Sequence, residues 1–390
     1  MAERMTDKIP ADEAGTLAGL FRERVGQTPD TVAYRQYDEA SGQWNDSSWA
    51  DMAAEVARWQ SAFATEDLQP GDRVAILLRN CREWVIFDQA ALGSGLVVVP
   101  LYTDDRAENS AYILNNAGVK LLLLQGAEHW ERLLPVRDQL GTLSRILTLE
   151  PVTVPEGETR LRSVADWLPE KADALRNAAG TPDDLATIVY TSGTTGRPKG
   201  VMLTHHNMLS IAHSALTMID VYQEDLFLSF LPLSHTLERT GGYYLPVMSG
   251  SGVAYARSIM QLADDLQHIR PTVMIAVPRI FERVFGRIQG QLEKQSRLKR
   301  ALFNMTTDIG WHRFQRQQKR ASWHPKLLLW PLLRRLVAGK VTEKLGGRLR
   351  LAVSGGAALS LPVAKTFIGL GVPILQGYGL TETSPVISVN

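Results

Sequence analysis

The run YTSGTTGRPKG, from Tyr190 to Gly200, constrains this chain more than any other stretch of it. Hydroxyls at Thr191, Ser192, Thr194 and Thr195, glycines at Gly193 and Gly196 and the cation of Lys199 compose a loop suited to phosphate. The glycines let backbone N–H groups turn inward, and Lys199 adds a mobile point charge. The apolar run LATIVYT just before it reads as a buried strand. The loop therefore leaves the carboxyl end of a strand, where open α/β sheets place ligands. It is not a Walker A loop, which has two glycines five apart and then Lys followed by Ser or Thr; here Pro198 precedes Lys199 and Gly200 follows it. A polar surface turn accounts for any four of these residues, but for neither the lysine nor the strand.

The fold class follows from alternation. Between Asp72 and Leu149, RVAILL, LVVVP, VKLLLLQ and RILTL alternate with the helical patterns REWVIFDQAALGSG and AENSAYILNNAG, which implies parallel pairing in an α/β fold. The near-continuous apolar strands suit a sheet covered on both faces. Upstream, WADMAAEVARWQSAF sets Trp49, Ala53, Val56, Trp59 and Phe63 on one helical face, as core. A Pro-, Glu- and Gly-bearing stretch with weak periodicity reads as a connection, giving a first α/β layer over 1–150, a connection over 151–183 and a second layer over 184–390. The second layer would run through LFLSF, GVAYA, TVMIAVP, RLAVSGG and VPILQ.

At 390 residues and 45% hydrophobic content the chain is a globular protein of two or more units. A net charge of +1 argues against a polyanionic partner overall, and neither zinc spacing nor an RNA-binding signature points to nucleic acid. A single cysteine, Cys81, fits a reducing, cytoplasmic setting. The amino terminus has no apolar core of signal-peptide length, and no apolar run reaches the ~20 residues of a spanning helix. Charge is nevertheless uneven: residues 283–350 carry seventeen Lys/Arg against three Asp/Glu. Basic residues there flank an apolar patch with Trp323, Trp330 and Leu327 to Leu329, a composition that suits either peripheral contact with an anionic membrane or a solvated face over ordinary core.

Three further blocks carry chemistry. In QGYGLTETSP, Gln376 to Pro385, Tyr378 offers a flat face to a purine, Gly377 and Gly379 give the backbone room, Thr381 offers a hydroxyl to phosphate, and Glu382 offers a hard oxygen to Mg²⁺. Alone, the same residues would cap a helix. In SGGAALS, Gly355 and Gly356 let backbone approach a ligand or make a tight turn. In LPLSHTLER, Leu231 to Arg239, His235 follows a strand and a proline turn, and the adjacent charges of Glu238 and Arg239 are able to pair with each other.

Together these four blocks, in their order along the chain, resemble the adenylate-forming superfamily of AMP-forming acyl-activating enzymes. The resemblance implies an amino-terminal domain of two αβα layered subdomains. It also implies that Thr191, Ser192, Gly193, Thr194, Thr195 and Gly196 wrap the β- and γ-phosphates of ATP with Lys199 assisting. Gly355, Gly356 and Ala357 would bracket the adenine with Gln376, Gly377, Tyr378 and Gly379. Thr381 and Glu382 would serve phosphate and Mg²⁺, and His235 would sit at the acyl carboxylate beside the phosphate loop. The H-x-x-E-R form at His235 looks like long-chain acyl-CoA synthetases rather than amino-acid adenylation domains, whose ammonium-binding Asp has no equivalent here. The implied activity is a long-chain fatty acid–CoA ligase using ATP, Mg²⁺ and CoA, cytoplasmic with peripheral contact at the inner face of the membrane. Its rivals are a fatty acyl-AMP ligase loading a carrier protein and a non-catalytic module that binds acyl chains, nucleotide or membrane. The resemblance runs from about Leu17 to Asn390, whereas the superfamily continues into a mobile domain with a further lysine. The expectation is therefore an amino-terminal part, a truncated core with little activity.

Overall fold

The computed structural model describes residues 6–172, 174–176, 180–192 and 196–390. The chain divides into two compact units: one comprises residues to Glu224, Leu231–Tyr255 and Thr381–Pro385, the other Asp225–Phe230, Ala256–Leu380 and Val386–Asn390.

The first unit opens with a helix, Leu17–Gln27, and a hairpin of β1 (Val32–Asp38) and β2 (Gln43–Ser48). Ser48 then starts the helix Trp49–Phe63 with a capping box: its hydroxyl accepts from Asp51 N–H at 3.1 Å, and its own N–H reaches the Asp51 carboxylate at 2.8 Å. Trp49, Val56, Trp59 and Phe63 are buried, so this apolar stripe is core, as its period implies. Then β3 (Arg73–Leu77), β4 (Val97–Pro100), β5 (Val119–Leu124) and β6 (Arg145–Thr148) pair in parallel. The helices Arg82–Gly93 and Ala107–Asn116 fall where the helical patterns lie.

Strand partners differ from a division in chain order. Within 151–183, β7 (Leu161–Ser163) pairs with β6, so the stretch read as a connection supplies a strand. β8 (Leu185–Thr191) joins β4 through Val98 opposite Thr187, and β9 (Lys199–Thr204) folds back antiparallel. The phosphate-loop strand thus extends the first sheet, ordered β7-β6-β5-β3-β4-β8-β9, and the boundary expected at 184 is corrected. β1 also reaches far along the chain, pairing in parallel with β11 (Gly252–Tyr255). Alternation identifies elements; which edge each strand joins depends on long-range burial, which a local pattern does not encode.

The second unit holds β10 (Leu226–Ser229), β12 (Val273–Ala276), β13 (Leu351–Ser354) and β14 (Ile374–Tyr378) in parallel, and β15 (Ser388–Val389) antiparallel to β14. Asp225, just before β10, accepts from Thr272 at 2.7 Å and from Arg350 Nε at 2.8 Å, tying the amino ends of β10, β12 and β13 together. The basic stretch forms the long helices Pro278–Glu293 and Arg297–Gln317, then short turns from Pro325 to Glu343. Trp330, Leu333 and Ala338 join Phe303, Ile309 and Leu370 in a core of its own. Among the described residues no helix is long and apolar enough to cross a membrane.

β9 ends at Thr204, whose capping box with Asn207 starts the helix His205–Met218. His205 is buried there, and its Nδ1 accepts the Leu17 N–H at 3.2 Å. Burial lowers its pKa to about 4, so the neutral ring contributes stability that is complete above its ordinary value of 6.5 and is lost as pH falls toward 4. Between pH 7.5 and 5 this loss amounts to about 2 kcal/mol. His205→Asn, which keeps an acceptor that does not titrate, should remove that part of the slope in urea titrations; an unchanged slope would refute the assignment.

Candidate nucleotide and acyl site

In the first unit the phosphate loop is the turn of the β8–β9 hairpin, with Thr191 opposite Lys199 in register. Gly193, Thr194 and Thr195 lie outside the described residues. Thr191 is half-buried, while Ser192, Gly196 and Lys199 are exposed. Behind the turn, Tyr190 donates its hydroxyl to Asn116 at 2.6 Å. Deeper in the strand, Thr187 donates to the Val98 carbonyl at 2.6 Å. The hairpin root is thus fastened to the sheet, while Ser192, Gly196 and Lys199 at its outer end are exposed.

The His235 turn belongs to the same unit. Asn80 clamps it with both ends of its amide, donating to the Leu231 carbonyl at 2.6 Å and accepting from Leu233 N–H at 2.9 Å. His235 N–H closes the turn onto the Pro232 carbonyl, and its Nδ1 caps the following helical turn by accepting from Leu237 N–H at 3.1 Å. An Nδ1 that accepts leaves the ring proton on Nε2, and burial lowers the ring's pKa, so His235 is a neutral donor in one tautomer.

Arg239 does not take up the pairing that its neighbour Glu238 offers. It turns inward to Asp88, from the middle of the helix Arg82–Gly93, and both side chains are wholly buried. The Asp88 carboxylate also accepts from the hydroxyls of Tyr243 at 3.0 Å and Tyr244 at 2.8 Å. Arg239 donates further to Thr187 at 2.7 Å and to Tyr244 at 3.2 Å, and its guanidinium lies 5.2 Å from the Trp84 ring centre. Burial raises the Asp88 pKa and the donors around it pull it back; burial opposes the Arg239 charge, and Asp88 together with Tyr243 and Tyr244 more than offsets that. Residues 239–244 form a wide π-helical turn, and a Cβ on Gly242 would collide with the Glu238 carboxylate. Tyr243 and Tyr244 are fully buried and bound to Asp88.

From the last block, Thr381–Thr383 forms a 3-10 turn against β9, and the Ser384 carbonyl accepts from Thr240 at 3.3 Å. Glu382 is exposed. Among the described residues no cluster of three His, Cys, Asp or Glu side chains is poised for a metal. A lone carboxylate is nevertheless what Mg²⁺ needs where phosphates and water complete its shell, so Glu382 fits that ion.

In the second unit Gly355, Gly356 and Ala357 follow β13, and Gln376 to Tyr378 end β14, the next strand over. Gly356 has φ +79°, a conformation that favours glycine. The Gln376 side chain accepts from Leu359 N–H at 2.7 Å, linking the two segments at the carboxyl ends of parallel strands. Tyr378 is 63% exposed. The structure thus gathers Lys199, His235, Thr381 and Glu382 into one unit and Gly355, Gly356, Ala357, Gln376, Gly377, Tyr378 and Gly379 into the other. Sequence reasoning missed Asp88, Asn80, Thr187 and Thr240. A signal existed for Asp88: an acid inside the otherwise apolar WVIFDQAALG must find a buried partner.

Against known proteins, the family described as AMP-binding enzyme matches residues 21–390. Long chain acyl-CoA synthetase 1 of Arabidopsis thaliana is 31% identical over 96% of this chain and 58% of its own length. Long-chain-fatty-acid–CoA ligase FadD15 of Mycobacterium bovis is 29% identical over 97% of this chain and 62% of its own length. The chain thus spans about three fifths of these curated relatives. Among solved structures, the N-terminal domain of FACL13 from Mycobacterium tuberculosis superposes with a TM-score of 0.71 at 22% identity, over 96% of this chain and 78% of that one. An anthranilate CoA ligase, AuaEII, in complex with anthranoyl-AMP gives 0.73 at 18% identity, over 98% of this chain and 64% of that one.

Asn80→Ala would leave the Leu231 carbonyl and the Leu233 N–H without their partners. It should lower stability by about 2 kcal/mol in urea unfolding. A loss under about 0.5 kcal/mol would show that the clamp adds little beyond water.

Proposed function

The chain belongs to the AMP-binding enzyme family, and from that premise we propose that it is the nucleotide- and acyl-binding part of an ATP-dependent, long-chain fatty acid–CoA ligase. The observation that carries this reading is the presence, in a chain similar throughout to long-chain acyl-CoA synthetases, of a hydroxyl-rich hairpin bearing Lys199 and an exposed Tyr378 beside glycine loops.

In the proposed reaction a carboxylate oxygen attacks the α-phosphorus of ATP, the bond to the bridging oxygen breaks, and pyrophosphate leaves. CoA thiolate then attacks the acyl carbon, and AMP departs with the electron pair. Thr191, Ser192, Gly193, Thr194, Thr195, Gly196 and Lys199 would hold the departing phosphates, where the negative charge grows. Tyr378 would stack on the adenine, with Gly355, Gly356, Ala357, Gln376, Gly377 and Gly379 bringing backbone close to it. His235 would donate its Nε2–H to the acyl carboxylate, and Thr381 would donate to the α-phosphate. Mg²⁺ at Glu382 would neutralise charge on the triphosphate.

Because burial lowers the His235 pKa, its neutral donor form persists below the ordinary histidine range. The acid limb of long-chain acid-dependent ATP–pyrophosphate exchange should therefore lie below about pH 6.5. Exchange should fall at least 100-fold in Lys199→Ala plus Glu382→Gln, a loss on the order of two phosphate contacts. In the protein at the full length of its relatives, exchange with short acids alone, or with none, would defeat the substrate assignment. Adding CoA or a carrier protein as acceptor distinguishes ligase from carrier-loading enzyme.

The basic segment supports a second element of the proposal, peripheral contact with an anionic membrane. No acidic residue occurs between Asp308 and Glu343, while eight Lys or Arg do. Leu328, Leu332 and Leu336 recur every four residues and are exposed, Leu328 at 72%, while Trp330, Leu333 and Ala338 fill the core behind them. Exposed leucines amid cations and without anions match a lipid interface in both polarity and charge. Binding to phosphatidylserine vesicles should weaken with salt, with Arg334→Glu plus Arg335→Glu, and with Leu328→Ser plus Leu332→Ser. Binding indifferent to all three would return the face to a solvated role.

A further inference from the structure

Arg239 reaches three segments of the first unit that carry candidate chemistry. Through Thr187 it holds β8, four residues before Thr191 at the phosphate hairpin. Its own N–H donates to the His235 carbonyl at 3.0 Å, closing the turn that presents the imidazole. Its neighbour Thr240 donates to Ser384, next to the turn that carries Thr381 and Glu382. The guanidinium can serve as this junction because Asp88 compensates its charge where no water reaches.

We propose that the Asp88–Arg239 pair is a positioning junction that sets the register of the phosphate hairpin, the His235 turn and the Thr381–Glu382 turn with respect to one another. Two observations favour this over a merely stabilising role. Buried ion pairs are poor sources of stability, since desolvation consumes most of their attraction, so a fully buried one on a site-bearing segment suggests specificity. The pair is also embedded where geometry is unusual: a π-helical turn, with Gly242 yielding to the Glu238 side chain, is a local arrangement that ordinary helix packing does not require. Neither residue touches the reacting atoms in this account; both act through the groups they hold. The consequence for chemistry rests on the ligase reading, whereas the consequence for His235 does not.

The test uses ¹⁵N-histidine-labelled protein, with the His235 signal assigned by its loss in His235→Gln. Two variants are compared with the parent: Asp88→Asn plus Arg239→Gln, which removes both charges together, and Arg239→Lys, which keeps the charge and loses the fork to Thr187. Melting temperature, His235 ring nitrogen shifts with pH, and pyrophosphate exchange are read on each. In at least one variant the melting temperature should hold within about 5 °C. There the His235 signals should leave the single-tautomer position and titrate nearer to 6.5, and exchange should fall about 100-fold, mostly in kcat. Unchanged His235 signals in folded variants would overturn the proposal. Loss of the fold in both variants would also overturn it, since the pair would then be a stability element. Absence of exchange in the parent carried at the full length of its relatives would defeat the ligase reading, while the His235 signals would still decide the positioning role.

Discussion

Asp88 and Arg239 are removed from water together, and much of the first unit is arranged to make that tolerable. Neither charge survives burial alone: an uncompensated ion in a protein interior costs several kcal/mol. The carboxylate is met by the guanidinium and two phenol hydroxyls, and the guanidinium by Asp88, Thr187, Tyr244 and the Trp84 face. To assemble those partners, the helix Arg82–Gly93, strand β8 and the π-helical turn at Arg239 must meet at one point. The pair therefore dictates approach and register even if an apolar substitute would be equally stable.

Strand pairing shows the same reliance on remote partners. β8 must lie beside β4 for Thr187 to stand where Arg239 ends, and that pairing spans almost ninety residues of chain. The second unit repeats the device on a smaller scale, with Asp225 holding Thr272 and Arg350 and so fixing the amino ends of three strands. In both units an aspartate binds a threonine and an arginine from other segments, either directly or through the arginine, and sheet order follows from those meetings.

Elements were legible because their signals are local. LATIVYT, VKLLLLQ and TVMIAVP became β8, β5 and β12, and the stripe from Trp49 to Phe63 became a buried helix face, because period and apolar content act over a few residues. The motifs were legible for the same reason: glycine, hydroxyl and charge lie side by side in the chain. What could not be read was partnership across distance. Adjacency in sequence suggests Glu238 as the partner of Arg239, yet successive residues on a helical turn point in different directions, and the guanidinium meets Asp88 instead. Asn80 gave no sign of its clamp on Leu231 and Leu233, since an asparagine before a helix is ordinarily a turn residue.

A further asymmetry separates the groups proposed to carry chemistry from those that hold them. Lys199, Tyr378 and Glu382 are exposed, whereas Asp88, Arg239, Thr187 and the ring of Tyr244 are sealed from solvent. Exposed side chains retain rotamer freedom and are ordered only by what they bind, so their own placement contributes little precision. Precision must come from the backbone that carries them, and that backbone is fastened from beneath: Tyr190 to Asn116, Thr187 to Val98, Ser384 to Thr240. His235 is intermediate, partly buried and held in one tautomer by the Leu237 N–H. Such a gradient suits the proposed role in nucleotide binding, because exposed side chains are ordered by what they bind while buried junctions keep the backbone beneath them from yielding.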